Sequence, residues 1–445
     1  MQDSLANGKE KQKEIDMKQF FKNLKDTFKN KEIRKRILFT LFIFVVYRYG
    51  CSLTVPGVDK STFAITSDSM FAIMNLMGGG ALSKFSVFAL GVSPYITAGI
   101  IIQLLAMDVV PCLSEWKKDG EKGRKKTERV TRYLTLVLAI VQGISITYGF
   151  DKQYGILGNG ATFRTYVFVV SMLVAGTMLI TWLGDQITLK GVGNGMSMLI
   201  FAGIVSELPS TFFSNFSNTV LAATEQSQIT QGIIHFCGFV LLYLFLIFVV
   251  TVIECGERRI SIKNANNTFS SGSNMSYLPI KVNPSGVIPV IFAQSIITSP
   301  QIIISFFNQS LYLTLNEKLA LTSTLGLSIY AILTFVFTFI YADMVLAPED
   351  IADNLKKQGS FIPNVRPGKD TEKYLHKMIY RTTLVGAIVL TLIAVLPYLL
   401  ARFATVTSTT ALGGTGIIVC VGVALETLEV LKIMKLDHKY EMGWL

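Results

Sequence analysis

Charged residues are scarce in this chain. Asp, Glu, Lys and Arg make up 16% of its 445 residues while 51% are hydrophobic, against roughly 25% charged in an ordinary soluble domain. That shortage excludes a water-soluble surface around an apolar interior and makes lipid the expected solvent. Histidine is nearly absent: His235, His376 and His438 stand isolated, so neither an H-E-x-x-H zinc site nor a Ser/His/Asp arrangement can be nominated. The five cysteines, Cys51, Cys112, Cys237, Cys255 and Cys420, are scattered without a C-x-x-C pair, which argues against a disulfide framework and a thiolate metal site. A Walker A sequence is missing too, since Gly120-Glu121-Lys122-Gly123-Arg124-Lys125-Lys126-Thr127 has the wrong spacing for a phosphate cradle and reads as a solvated basic loop. No cleavable signal peptide is expected, because polar and mostly basic residues 1–36 precede the first apolar run. No catalytic residue, metal ligand or cofactor is anticipated.

Long apolar runs are what the chain does have. A helix needs about 20 apolar residues to cross ~30 Å of hydrocarbon. Such segments fall near 37–55, 85–107, 133–150, 164–184, 196–213, 232–254, 287–307, 323–346, 379–403 and 413–431. That makes ten spans, the weakest being the short 133–150 and the 196–213 segment interrupted by Ser206, Glu207 and Pro209. The net charge of +11 also fits nucleic acid, with ribosomal RNA the serious candidate. Yet most Lys and Arg gather in alternate loops, 1–36, 108–132, 185–195, 255–286, 347–378 and 432–445. Basic loops stay on the cytoplasmic side, so both termini are expected there.

An even count with both ends inside divides into two halves of five, inverted relative to each other. Gly91-Val92-Ser93-Pro94-Tyr95-Ile96 resembles Gly286-Val287-Ile288-Pro289-Val290-Ile291, and glycine clusters precede the fifth and tenth spans at Gly193-Asn194-Gly195 and Gly413-Gly414-Thr415-Gly416. The expected organisation is a basic segment at 1–36, a first half at 37–213, a second half at 214–431 and a short cytoplasmic tail at 432–445. Between the first two spans, Met70, Phe71, Ile73, Met74, Leu76 and Met77 predict a short amphipathic helix ending at Gly78-Gly79-Gly80. It either rests on the outer leaflet or folds back into a cavity enclosed by protein, and periodicity does not choose between these.

Ion-coupled transport needs ionisable groups near the bilayer midplane. Here Arg48, Glu254, Asp343, Arg381, Glu426 and Glu429 sit toward span ends, where side chains snorkel, and Glu207 alone is hard to place. A pore whose cargo is pushed, or supplies its own driving force, fits better than a solute transporter, which is the alternative reading. A membrane enzyme comes third.

Several longer motifs are more specific. They include Gly78-Gly79-Gly80-Ala81-Leu82-Ser83, Phe88-Ala89-Leu90-Gly91-Val92-Ser93-Pro94-Tyr95-Ile96 and Ile100-Ile101-Ile102-Gln103-Leu104-Leu105. Further along come Trp182-Leu183-Gly184-Asp185-Gln186-Ile187, Gly191-Val192-Gly193-Asn194-Gly195, Pro279-Ile280-Lys281-Val282-Asn283, Ala352-Asp353-Asn354-Leu355-Lys356-Lys357 and Val365-Arg366-Pro367-Gly368. On these the chain resembles the SecY/Sec61 family of protein-conducting channels over nearly its whole length.

The resemblance implies an all-α integral membrane protein of ten transmembrane helices, in two inverted pseudo-symmetric halves of five around an hourglass pore. It implies passage of signal peptides and unfolded precursors across the bacterial cytoplasmic membrane, with lateral release of apolar segments into lipid. Drive would come from the SecA motor ATPase or the translating ribosome, and the small SecE and SecG subunits would complete the assembly. Carried over by motif, the pore ring is Val92, Ile96, Met196, Ile200, Ile291 and Val419. Apolar side chains at a narrow neck dewet and resist ions. The helix near 64–77 becomes the plug, hinged at Gly78, Gly79 and Gly80, and the tie above is broken in favour of the enclosed helix. Thr97, Gln103 and Ser299 match lateral-gate positions. Arg366, then Arg258 and Arg259, with Lys356 and Lys357, fall on the docking surface for SecA and the ribosome. One departure is the Asn- and Ser-rich stretch 263–277, which predicts fewer ribosomal RNA phosphate contacts.

Overall fold

Asn30 starts the first helix, α1 (Lys31–Ser52), its side chain accepting a hydrogen bond from the Glu32 amide at 3.0 Å. The structure, a computed structural model, describes residues 30–59, 70–106, 110–158, 162–221, 226–264, 276–307, 314, 317–321, 323–403 and 408–442. The anticipated basic segment therefore lies outside the described residues over 1–29, and its last residues form the first turns of α1. Short helix α2 (Met70–Met77) follows, then α3 (Ser93–Leu105) and α4 (Pro111–Lys118). Long helices come next: α5 (Gly120–Tyr154), α6 (Phe163–Lys190), α7 (Gly195–Phe216, prolonged by a π turn at Ser217–Leu221) and α8 (Gln226–Glu254). Strands β1 (Glu257–Asn264) and β2 (Ser276–Lys281) precede α9 (Ile288–Phe307), α10 (Thr324–Leu346) and α11 (Pro348–Lys357). Strand β3 (Ser360–Phe361), α12 (Lys369–Phe403) and α13 (Ser408–Met442) complete the order.

Among the described residues six helices, α5 to α8, α10 and α12, are long and apolar enough to cross a membrane, and α3 and α9 are shorter apolar helices. Their outward faces are apolar: on α8, Leu241, Leu244, Phe245, Phe248 and Val252 are all exposed. Such a face suits hydrocarbon. Several hydroxyls within the helices bond back to their own helix, as when Thr135, Thr181 and Thr338 donate to the carbonyls of Thr131, Thr177 and Thr334. In lipid this matters because no water is present to pair them. Since lipid is as apolar as leucine, small residues that let backbones approach hold such helices together. Gly195 of α7 shows this, lying against the backbone carbonyl of Gly184 on α6.

Four expectations are corrected. The segment 85–107 is helical only from Ser93; residues 85–92 form turns, with Gly91 at φ +56°. The loop 108–132 contains α4 and the first turns of α5. Gly413-Gly414-Thr415-Gly416 does not precede the last helix but lies inside α13, which also carries the tail 432–445 on to Met442. A continuous helix keeps every backbone group paired inside the membrane, and glycine costs it only about 1 kcal/mol. Finally, the chain is not purely helical. The loops 255–286 and 347–378 join in a three-stranded antiparallel sheet of order β2-β1-β3, with Arg258 opposite Ile280, Ile260 opposite Leu278 and Lys263 opposite Phe361. Its inner face, Ile260 and Ile280, packs on Ala352, Ile362, Leu375, Met378 and Ile379 as a separate core.

Candidate functional site

The turn Gly91-Val92-Ser93-Pro94 enters α3 and the turn Gly286-Val287-Ile288-Pro289 enters α9, and the two are built alike. Each has a left-handed glycine (φ +56° and +60°) two residues before the helix and a proline in its first turn. Glycine adopts that conformation without steric penalty, and proline is tolerated where the amide has no helical partner. Both turns deliver a buried valine, Val92 and Val287, into the largest hydrophobic cluster.

Buried residues of α1, α6, α7, α8, α9, α12 and α13 and of the Gly91 turn meet there. Val92 (4% exposed), Met196 (9%), Ile200 (3%), Ile291 (6%) and Val419 (1%) all belong to that cluster. Ile96 is half-buried and packs against it. The six residues proposed for the ring thus lie in or against this one large cluster, reached from α3, α7, α9, α13 and the turn before α3. Ile204, one turn beyond Ile200 and fully buried in the same cluster, was not singled out from the sequence, although its i+4 spacing could have found it. A cavity of about 460 Å³ runs from Ile96, Met196, Ile200 and Ile291 to Leu113 and Trp116 of α4, with Tyr95, Gln103, Glu128 and Tyr341 also on its wall.

Helix α2 packs against α7 and α13. Leu76 meets Gly416, where a β-carbon would lie 3.2 Å from it, and Met77 packs against the same large cluster. The side chains of Met70, Phe71 and Ile73 lie outside those described; Met74 is half-buried and packs on a second cluster that includes Leu82 and Phe85. Gly78, Gly79 and Gly80 are buried, the last two left-handed.

Helices α3 and α9 contact each other. On α3 the Thr97 hydroxyl donates to the Ser93 carbonyl at 3.1 Å. Gln103 is half-buried on the cavity wall, and its Oε1 has no hydrogen-bond partner among the described residues. Ser299 lies within α9, but its side chain is outside those described.

The basic residues lie on and beside the sheet. Arg258 and Arg259 project from β1, both exposed, and Arg259 pairs with Glu257. Lys356 and Lys357 are exposed in the last turn of α11, where cations complement the helix dipole. Arg366 is exposed, and its carbonyl accepts from the Thr371 hydroxyl at 2.8 Å, fixing the turn into α12. What the sequence did not disclose is that both basic loops share one core. Its signal was the apolar alternation of Ile260 and Ile262 in β1.

Glu207, unplaced from the sequence, faces Arg48 of α1 at 3.3 Å. Among the described residues no cluster of His, Cys, Asp and Glu is suited to a metal ion.

The SecY family model matches residues 86–428. Protein translocase subunit SecY 1 of Lactobacillus kefiranofaciens subsp. kefiranofaciens is 45% identical, over 94% of this chain and 99% of that relative. The chain belongs to the SecY family. Protein translocase subunit SecY of Bacillus subtilis (strain 168) is 41% identical over 94% of this chain and 98% of its own length. Among solved structures, one described as the structure of a protein conducting channel aligns with a TM-score of 0.65 at 19% identity, covering 92% of this chain and 94% of the other. Sec61 in the canine ribosome-channel complex from the endoplasmic reticulum aligns at 0.61 and 18%, with the same coverage. At those identities the likeness is one of fold. SecY membership and the apolar helices make the chain a multi-pass membrane protein that serves protein translocation.

Proposed function

We propose that this SecY-family chain forms the pore itself: ten spans in two inverted pseudo-symmetric halves, 37–213 and 214–431, around an hourglass neck. The neck is the ring of Val92, Ile96, Met196, Ile200, Ile291 and Val419. Helix α2 with residues 64–69 is the plug, and the seam between α3 and α9, with Thr97, Gln103 and Ser299, is the lateral gate. The chain lies in a bacterial cytoplasmic membrane with both termini inside, an orientation its basic loops support. It catalyses nothing and needs no cofactor; SecA or the ribosome drives it, docking on Arg366, Arg258, Arg259, Lys356 and Lys357, and SecE and SecG complete the assembly.

One observation carries this reading. Six apolar residues from four separate stretches of sequence lie in or against one cluster, and Met77 of α2 packs on it. An apolar collar admits a passing peptide without binding it, while a collar too narrow to hydrate resists ions. The matching turns at Gly91 and Gly286 support the repeat.

The test is threading. In inverted vesicles containing SecE, SecG and SecA, a cysteine at Ile96 or Ile291 is expected to crosslink to a single-cysteine precursor stalled in transit, and only when ATP is supplied. An assembled complex that yields no crosslink would return the solute-transporter reading.

A further inference from the structure

A helix leaves its last carbonyls unpaired, and α2 meets that need in two ways. The amides of Gly78, Gly79 and Gly80 return to the carbonyls of Met74, Leu76 and Asn75, helped by left-handed Gly79 and Gly80. The carbonyls beyond are taken by α1. The Cys51 thiol points at the Gly78 carbonyl at 3.5 Å, and one turn earlier Arg48 donates from Nη1 to the Gly79 carbonyl at 2.6 Å. The same Nη1 reaches the Ser206 hydroxyl at 2.9 Å and the Glu207 carboxylate at 3.3 Å. Glu207 is held in turn by the Ser210 hydroxyl at 3.1 Å. A side chain on Gly80 would strike the Glu207 carboxylate, and one on Gly203 would come 2.6 Å from the Met77 carbonyl. The glycine hinge therefore sits directly on α7, with the Arg48–Glu207 pair at its edge.

We propose that Arg48 is a latch for the plug: a positioning residue on α1 that grips the carbonyl end of α2 and is aimed by Glu207 on α7. A cation at a helix C-terminus is favourable both as a hydrogen-bond donor and against the helix dipole. The carboxylate that looks misplaced in an apolar span has the task of holding that cation in register. Moving the hinge off α7 breaks the Gly79 bond and leaves the Arg48–Glu207 pair behind, so the latch closes again when the chain in transit has left. This rests on the plug reading above.

The experiment measures resting anion leak through the full complex with SecE and SecG in proteoliposomes, without SecA or precursor. Four changes are compared: deletion of 64–77, Arg48→Ala, Arg48→Lys and Glu207→Gln. Deletion is expected to leak. Arg48→Ala is expected to raise the leak about tenfold, the scale of one lost hydrogen bond to a charged group. Lysine, which still offers a cation to the carbonyl, is expected to hold the seal better than alanine, and Glu207→Gln to fall between wild type and Arg48→Ala. A leaking deletion beside a sealed Arg48→Ala complex overturns the latch and leaves the plug standing; a sealed deletion overturns the plug reading and the latch with it. If Arg48→Ala does not assemble, Glu207→Gln decides, and a leak no greater than wild type rejects the latch.

Discussion

The thioether of Met196 occupies the space that a β-carbon on Gly184 would fill. A residue proposed for the ring is thereby seated by a glycine on α6, outside the ring. Gly184→Val forces the methionine to another rotamer, at about 1–3 kcal/mol for overpacking. The expected result is a lower unfolding temperature of the purified complex together with a higher resting ion leak. If neither moves, Met196 is not held this way.

Ile291 and Val419 are buried in the same cluster from α9 and α13. Replacing both with asparagine gives the neck hydrogen-bonding groups and so admits water. A fall of about 1.4 kcal/mol in the barrier to wetting corresponds to tenfold more ion flux. Conductance of the resting complex in planar bilayers measures it, and a seal as tight as wild type would contradict the assignment.

Arg366 is exposed. Arg366→Glu is expected to shift stability by no more than about 0.5 kcal/mol, as surface changes do, while abolishing SecA-driven export into inverted vesicles. Undiminished export would remove Arg366 from the docking surface.

Leu375 is wholly buried beneath the sheet. Leu375→Ala is expected to cost about 2–5 kcal/mol, loosening β1, β2 and β3 while the membrane helices stay packed. Limited proteolysis from the cytoplasmic side then cuts within 255–286 and 347–368 faster than in wild type. Equal cutting would show that the two loops do not depend on their common core.

Apolar length made the membrane helices legible, since a run such as 232–254 has no other stable home than a helix in lipid. The proposed ring was nominated only through motif resemblance. An isoleucine at 200 looks the same as any packing residue until α7 is set beside α3, α9 and α13. The sheet was missed because a basic loop was read for charge: Arg258, Arg259 and Lys263 stood out, and the alternating Ile260 and Ile262 between them did not. Glycines misled in one place. Gly413-Gly414-Thr415-Gly416 looked like a helix boundary, yet Gly416 serves instead to let Leu76 and Ile204 close on α13.

By itself the sequence determined the solvent, the approximate helices and the family. These follow from composition, run length and motif, which are local properties of the chain. Tertiary structure decided what meets what: Arg48 with Glu207 and the Gly79 carbonyl, Met196 with Gly184, and two basic loops over one core. In each case the partners sit on separate elements, and where a glycine lies between two helices it sets how closely they approach. No local pattern encodes that distance, so only the folded chain fixes it.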